Sequence, residues 1–112
     1  MIIWHNPRCS KSRQTLALLE ERGHSPDVRR YLEDAPSEAE LRAAAKVLGL
    51  SPLAMMRTAE PEFKAEGLSE RSDEAALFAA MARVPKLIER PIVFAGDKAA
   101  IGRPPEAVLD IL

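Results

Sequence analysis

The chain has a single cysteine, Cys9, and that shortage decides more about it than any abundance does. One thiol cannot close an internal disulfide, so the disulfide-stapled secreted class is excluded. Aromatic residues make up only 4% of the sequence, too few for a stacking platform on single-stranded nucleic acid. Charge of one sign is not in excess either, because 16 Lys and Arg stand against 17 Asp and Glu for a net of −1. Nothing therefore drives the chain toward phosphate backbones, and nucleic acid is not an expected partner. No apolar run approaches the roughly 20 residues of a membrane-spanning helix. The opening Ile2-Ile3-Trp4 is cut short by Asn6-Pro7, before it could form the core of a signal peptide. A cytoplasmic chain without a membrane partner is expected.

What is present is an ordinary globular balance, 46% hydrophobic and 29% charged over 112 residues, enough for one domain with one core. Ile2-Ile3-Trp4 reads as a short buried strand. Residues from about Lys11 to Arg22 favour helix, with Leu16 and Leu19 on one face and Gly23 as a stop. Val28 to Leu32 is the next strand candidate. Strand, helix, strand in this order implies a parallel pair with a right-handed crossover.

The middle is helical. Ser37-Glu38-Ala39-Glu40 is a capping box, and Leu41, Ala44, Ala45 and Leu48 follow at helical spacing up to Gly49. Ser51-Pro52 opens a second short helix, and a third is expected from about Asp73 to Arg83, closed by Pro85. Strand signals return at Ile92–Ala95, Gly96-Asp97 makes a two-residue turn, and Lys98–Ile101 runs back. Pro104-Pro105 starts a last helix through about Leu109. The expected fold is α/β: a thioredoxin-like four-stranded mixed sheet in a single domain, 1–112, with a helical insert at about 36–85 between its βαβ and ββα halves.

The chemistry concentrates in His5-Asn6-Pro7-Arg8-Cys9-Ser10-Lys11-Ser12-Arg13. This stretch puts the cysteine in a turn between a strand and a helix N-terminus, where free amides and the helix dipole favour an anion. Arg8, Lys11, Arg13 and His5 can add positive charge, and all of this favours thiolate over thiol. A fall of about two pKa units, equivalent to about 2.7 kcal/mol, would make thiolate the majority form at neutral pH. The bland alternative is a small core hydrophobe, the commoner fate of a free cysteine; polar neighbours at a strand–helix turn argue for the reactive thiol. Position 12, where a dithiol enzyme would carry its second cysteine, holds Ser12, so any redox cycle must draw on an external thiol. Three arginines stand at breaks in the pattern. Arg57 ends the helix begun at Ser51-Pro52, Arg90 precedes Pro91 and Arg103 precedes Pro104. Each could be plain surface charge; together they offer guanidinium forks suited to a tetrahedral oxyanion.

These motifs resemble a known family. His5-x-x-x-Cys9-x-x-x-Arg13 within HNPRCSKSRQTL resembles the active-site motif of the glutaredoxin-coupled arsenate reductases. The resemblance continues through YLEDAPSEAEL, MMRTAEPEFKAEGL, LIERPIVFAGDKAAIGRPPE and VLDIL. With an end at Leu112, the chain is most similar to the short chromosomal members. The resemblance implies a thioredoxin fold, Cys9 as catalytic nucleophile and His5 as its assistant. It further implies Arg57, Arg90 and Arg103 as the substrate-binding arginines. Ser12 and Arg13 are expected to stabilise the thiolate. Arsenate or a similar oxyanion is the implied substrate, glutathione the co-substrate and glutaredoxin the partner, with no bound cofactor and no metal. The family pattern also implies a cis Arg90–Pro91 bond. Two alternatives use the same fold: a monothiol enzyme exchanging glutathione through Cys9, and a redox regulator that binds RNA polymerase, whose usual Cys-x-x-Cys switch Ser12 removes.

Overall fold

The structure, a computed structural model, describes residues 1–112. The chain forms two compact units, one of residues 1–34 and 90–112, the other of residues 35–89. The helical block expected at about 36–85 falls within the second unit.

The first unit is built on a four-stranded sheet of β1 (Ile2–Trp4), β2 (Asp27–Arg29), β3 (Ile92–Ala95) and β4 (Lys98–Ile101), in the order β2-β1-β3-β4. β1 runs parallel to β2, with Ile3 opposite Val28, and antiparallel to β3, with Ile3 also opposite Val93; β3 and β4 are antiparallel. This is the expected thioredoxin-like mixed sheet. Helix α1 (Ser10–Glu21) supplies the crossover between β1 and β2. Alternation along the short strands sends Ile3 and Val93 inward, where they form one core with Leu19 of α1 and Val108 of the C-terminal 3-10 segment, Pro105–Ile111. Each such fully buried aliphatic side chain contributes about 1.5–3 kcal/mol. Trp4 meets Phe94 across the β1–β3 pair with ring centroids 4.9 Å apart.

Two expectations need correction in this unit. β2 ends at Arg29 rather than Leu32 because the Arg30 carbonyl accepts the amides of Glu33 and Asp34, which turns the backbone out of the ladder. Tyr31, read as a strand residue, is fully buried but lies in that turn. The closing helix is 3-10 and extends to Ile111. Arg90–Pro91 is cis, and so is Arg103–Pro104.

The second unit holds α2 (Glu38–Leu48), α3 (Pro61–Ala65) and α4 (Glu74–Arg83), with 3-10 turns at Leu53–Met55 and Pro85–Leu87. The capping box of α2 is complete: Ser37 Oγ accepts from the Glu40 amide at 3.1 Å and Glu40 Oε1 from the Ser37 amide at 3.0 Å. Gly49 closes α2 in the left-handed region at φ 68°, where a side chain would be strained. Asp73 caps α4 through the Ala76 amide at 2.8 Å. The Ser51-Pro52 element shrinks to a single 3-10 turn, with Pro52 at its cap position. α3 was not expected; its signal is Pro61 at the first helical position, where the missing N–H is harmless.

Gly102, just after β4, is closely packed, unlike the other glycines of the first unit. A Cβ there would sit 2.5 Å from Thr15 Oγ1 and 2.8 Å from Pro91 Cγ. Thr15 cannot swing away freely, since its hydroxyl donates to the Lys11 carbonyl at 2.8 Å. Gly102→Ala is therefore expected to lower stability by about 1–3 kcal/mol, the usual effect of overpacking. Urea denaturation checks this, and an unchanged midpoint would show that α1 and Pro91 yield without penalty.

Candidate active site

The loop joining β1 to α1 is tied down by its own backbone. His5 donates its amide to the Arg29 carbonyl at 2.8 Å, extending the parallel ladder by one residue. Asn6, nearly buried, accepts the Arg8 amide on Oδ1 at 3.0 Å, and its carbonyl accepts the Cys9 amide at 3.0 Å. This is the local turn that Asn favours, with the side chain standing in for a backbone group. Cys9 thereby lands at the N-cap of α1 in extended conformation (φ −93°, ψ 124°), and its carbonyl accepts the first helical bond from Arg13 at 3.0 Å.

An N-cap is ordinarily Ser, Thr, Asp or Asn, whose oxygen accepts a free amide. Here the cap is sulfur, half-buried. It closes no short cap bond, as suits a weak and bulky acceptor. Its acidity is a balance of opposing effects. Burial pushes the thiol up. Against that act the Ser12 amide, the Arg90 guanidinium as hydrogen-bond donor, the Lys11 amide and the charge of Arg90, and the net result is a thiol below its ordinary value. Arg103 adds Nη1 at 3.9 Å from Sγ, and the same nitrogen donates to the Arg90 carbonyl at 3.0 Å. Arg90 Nε is buried without an acceptor. A buried donor left open is uncommon, and this one has capacity for an acceptor that the chain does not supply.

Three residues expected to act on the sulfur are placed differently from one another. Ser12 is fully buried; its amide serves the sulfur, while its hydroxyl sits 2.7 Å from His5 Nδ1 and accepts the Asn6 amide at 3.0 Å. His5, expected as a possible cation, is held neutral: burial lowers its pKa, and the charges of Arg30 and Arg13 lower it further. Arg13 turns its guanidinium back to the Pro7 carbonyl at 3.0 Å. The cations at the sulfur are thus Arg90 and Arg103, remote in sequence, rather than the basic residues flanking Cys9. Arg57 belongs to the other unit. There its Nε meets Glu60 Oε1 at 3.0 Å and its Nη1 lies 4.0 Å from Glu89 Oε1. Arg30 and Asn6 are the residues of this neighbourhood that the sequence pattern did not single out; the Asn-Pro step two residues before Arg8 was the available signal for Asn6. No three His, Cys, Asp or Glu side chains gather into a group able to hold a metal ion.

Comparison with known proteins fits this geometry. The model of the ArsC family matches residues 4–111. The chain belongs to the ArsC family. It is 51% identical to the arsenate reductase of Haemophilus influenzae, over 100% of this chain and 98% of that one. It is 53% identical to the uncharacterised protein YfgD of Escherichia coli K12, over 98% and 94%. Among solved structures, the arsenate reductase from Vibrio cholerae superposes with a TM-score of 0.95 at 54% identity, covering 99% of this chain and 96% of that one.

Two measurements test this ArsC-family site. The rate of Cys9 alkylation by iodoacetamide should rise with pH to a midpoint below about 8.5, the ordinary thiol value. Arg90→Met should move that midpoint upward; an unmoved midpoint would show that the arginine does not support the thiolate. Acid stability tests His5. A folded-state pKa lowered by burial makes the unfolded chain the better proton acceptor, so stability rises with pH across the window. The contribution is full above the unfolded value of about 6.5 and is lost as pH falls from there through the depressed folded value. Chemical denaturation across that window should show the loss, and His5→Asn should flatten it.

Proposed function

We propose that this chain reduces arsenate to arsenite through the Cys9 thiolate, with electrons from glutathione and glutaredoxin. The observation that carries the reading is the pairing of Cys9 Sγ with Arg90 and Arg103, one with an open buried donor and the other 3.9 Å from the sulfur. A plain thiol–disulfide exchanger has no need of guanidinium forks at its sulfur, whereas a tetrahedral oxyanion does. The names of relatives at about half identity point the same way.

In this mechanism arsenate lies on Arg90 and Arg103, with Arg57 supplying a third guanidinium by family resemblance. The Cys9 thiolate forms a bond to arsenic(V), and one arsenate oxygen leaves as water after taking a proton. Fixed cations stabilise the charged adduct without having to reorganise. The thiolate of glutathione then bonds to arsenic and a second oxygen leaves as water. A glutaredoxin thiolate attacks the glutathione sulfur; the sulfurs end as a mixed disulfide, and the electron pair of the broken sulfur–arsenic bond stays on arsenic, now arsenic(III). Water cleaves the remaining bond to Cys9, which regains its thiolate as arsenite departs. Ser12 in place of a second cysteine leaves the adduct open to the external thiol. His5 is a positioning residue in this scheme, acting through Ser12.

Steady-state turnover of arsenate with glutathione and glutaredoxin tests the proposal. Cys9→Ser should abolish it, because a hydroxyl is a far poorer nucleophile at neutral pH. Arg90→Lys and Arg103→Lys keep the charge but lose the fork, and arsenate affinity should fall about ten- to a hundredfold, the equivalent of one charge-assisted bond of about 1.5–3 kcal/mol. The exposed Arg71→Lys is the control. If arsenate is not turned over while glutathionylated disulfides are, the monothiol exchange reading replaces this one.

A further inference from the structure

The β1–α1 loop has two flanks, and the oxyanion chemistry uses only one. Arg90 and Arg103 reach Cys9 from the side of β3 and β4. On the other side, toward β2, a cleft of about 250 Å³ is walled by His5, Asn6, Arg8, Arg30, Leu32 and Glu33. Arg8 immediately precedes the nucleophile. The cleft combines a floor of nearly buried, neutral polar side chains, an exposed Leu32 and three exposed charges. None of those charges is spent within the protein. The neighbouring Arg29 is paired with Asp34, and Arg83 with Glu66, but the Arg8, Arg30 and Glu33 side chains enter no ion pair. Two free cations and one free anion on one small cleft form a pattern with a definite complement: a ligand with two carboxylates and one ammonium.

We infer that this cleft is the docking site of glutathione, with Arg8 and Arg30 taking its two carboxylates and Glu33 its ammonium. The inference rests on the reading of Cys9 as an oxyanion nucleophile that needs an external thiol. It agrees with the division of the loop: Arg90 and Arg103 take up the β3 and β4 side of Cys9, and the β2 side, which begins at Arg8 next to the nucleophile, is left for a second sulfur. In the step concerned, the glutathione thiolate forms a sulfur–arsenic bond on the Cys9 adduct and one oxygen leaves arsenic as water. No oxidation state changes until the glutaredoxin thiolate arrives. The nearness of Arg30 to the floor of the cleft is felt by His5, whose proton affinity the Arg30 charge reduces.

The probe is S-methylglutathione, which keeps all three charges and cannot react. Titrated into the intact protein, it should shift the backbone amide resonances of Asn6, Arg8, Arg30 and Glu33 saturably. Arg30→Met should weaken binding about tenfold, the equivalent of about 1.4 kcal/mol, and Glu33→Gln should weaken it as well. In turnover, Arg30→Met should raise KM for glutathione while KM for arsenate stays near its original value; the exposed Arg71→Met should alter neither. Absent binding at millimolar probe, equal affinity in Arg30→Met and the original protein, or shifts centred on Gly102 and Arg103 would each overturn the assignment. If the probe binds as described but arsenate is not reduced, the cleft stands as a glutathione site and the arsenate reading alone fails.

Discussion

The Cys9 thiol lies partly withdrawn from water, yet its proton affinity is lowered, and the balance between those two effects depends on how the first unit is put together. Burial alone would return the proton to Cys9. The offset comes from the open N-terminus of α1, whose amides at Lys11 and Ser12 have no intrahelical partner, and from the guanidinium of Arg90. Those two sources reach the same atom only because β1 and β3 are paired, with Trp4 opposite Ile92. The loop that follows Trp4 and the arginine that precedes Ile92 by two residues are thereby brought to one end of the sheet. Arg103 enters from the end of β4, the strand paired with β3. The close fit of Gly102 against Thr15 and Pro91 ties that end to α1 and to the Arg90–Pro91 step.

Charge placement around the loop is equally ordered. A cationic His5 would sit against Arg30 and Arg13, and burial adds to the penalty, so the ring stays neutral and serves as a hydrogen-bonding wall for Ser12. Arg13 is occupied with the Pro7 carbonyl, which pins the loop. The loop is thus held by its own hydrogen bonds, that of Arg13 among them, and the cations that matter to the sulfur come from elsewhere in the chain. That arrangement sets Arg90 and Arg103 on the β3 and β4 side of Cys9 and leaves Arg8, Arg30 and Glu33 without ion pairs on the β2 side.

Local chemistry was readable wherever a residue acts through its immediate neighbours. The capping box at Ser37 and Glu40, the stop at Gly49 and the Gly96-Asp97 hairpin stand where their short-range signals put them. The misreadings came where a longer-range partner decided. Val28–Leu32 has strand composition, but the Arg30 carbonyl is claimed by the amides of Glu33 and Asp34, and the ladder stops at Arg29. Tyr31 is buried without being in a strand.

The same division runs through the site. By itself the sequence determined that Cys9 is the sole thiol, that it stands at a helix start, and that no second cysteine can resolve it, because these depend on composition and on a turn of a few residues. It also marked Arg90 and Arg103 by their prolines. Only the tertiary structure decided which cations touch the sulfur, since an arginine 81 or 94 positions away in the chain reaches Cys9 only through strand pairing. The protonation of His5 and the unpaired charges on the β2 side were likewise decided there. Burial and neighbouring charge are properties of the packed molecule, and the order of residues along the chain does not contain them until the sheet has formed.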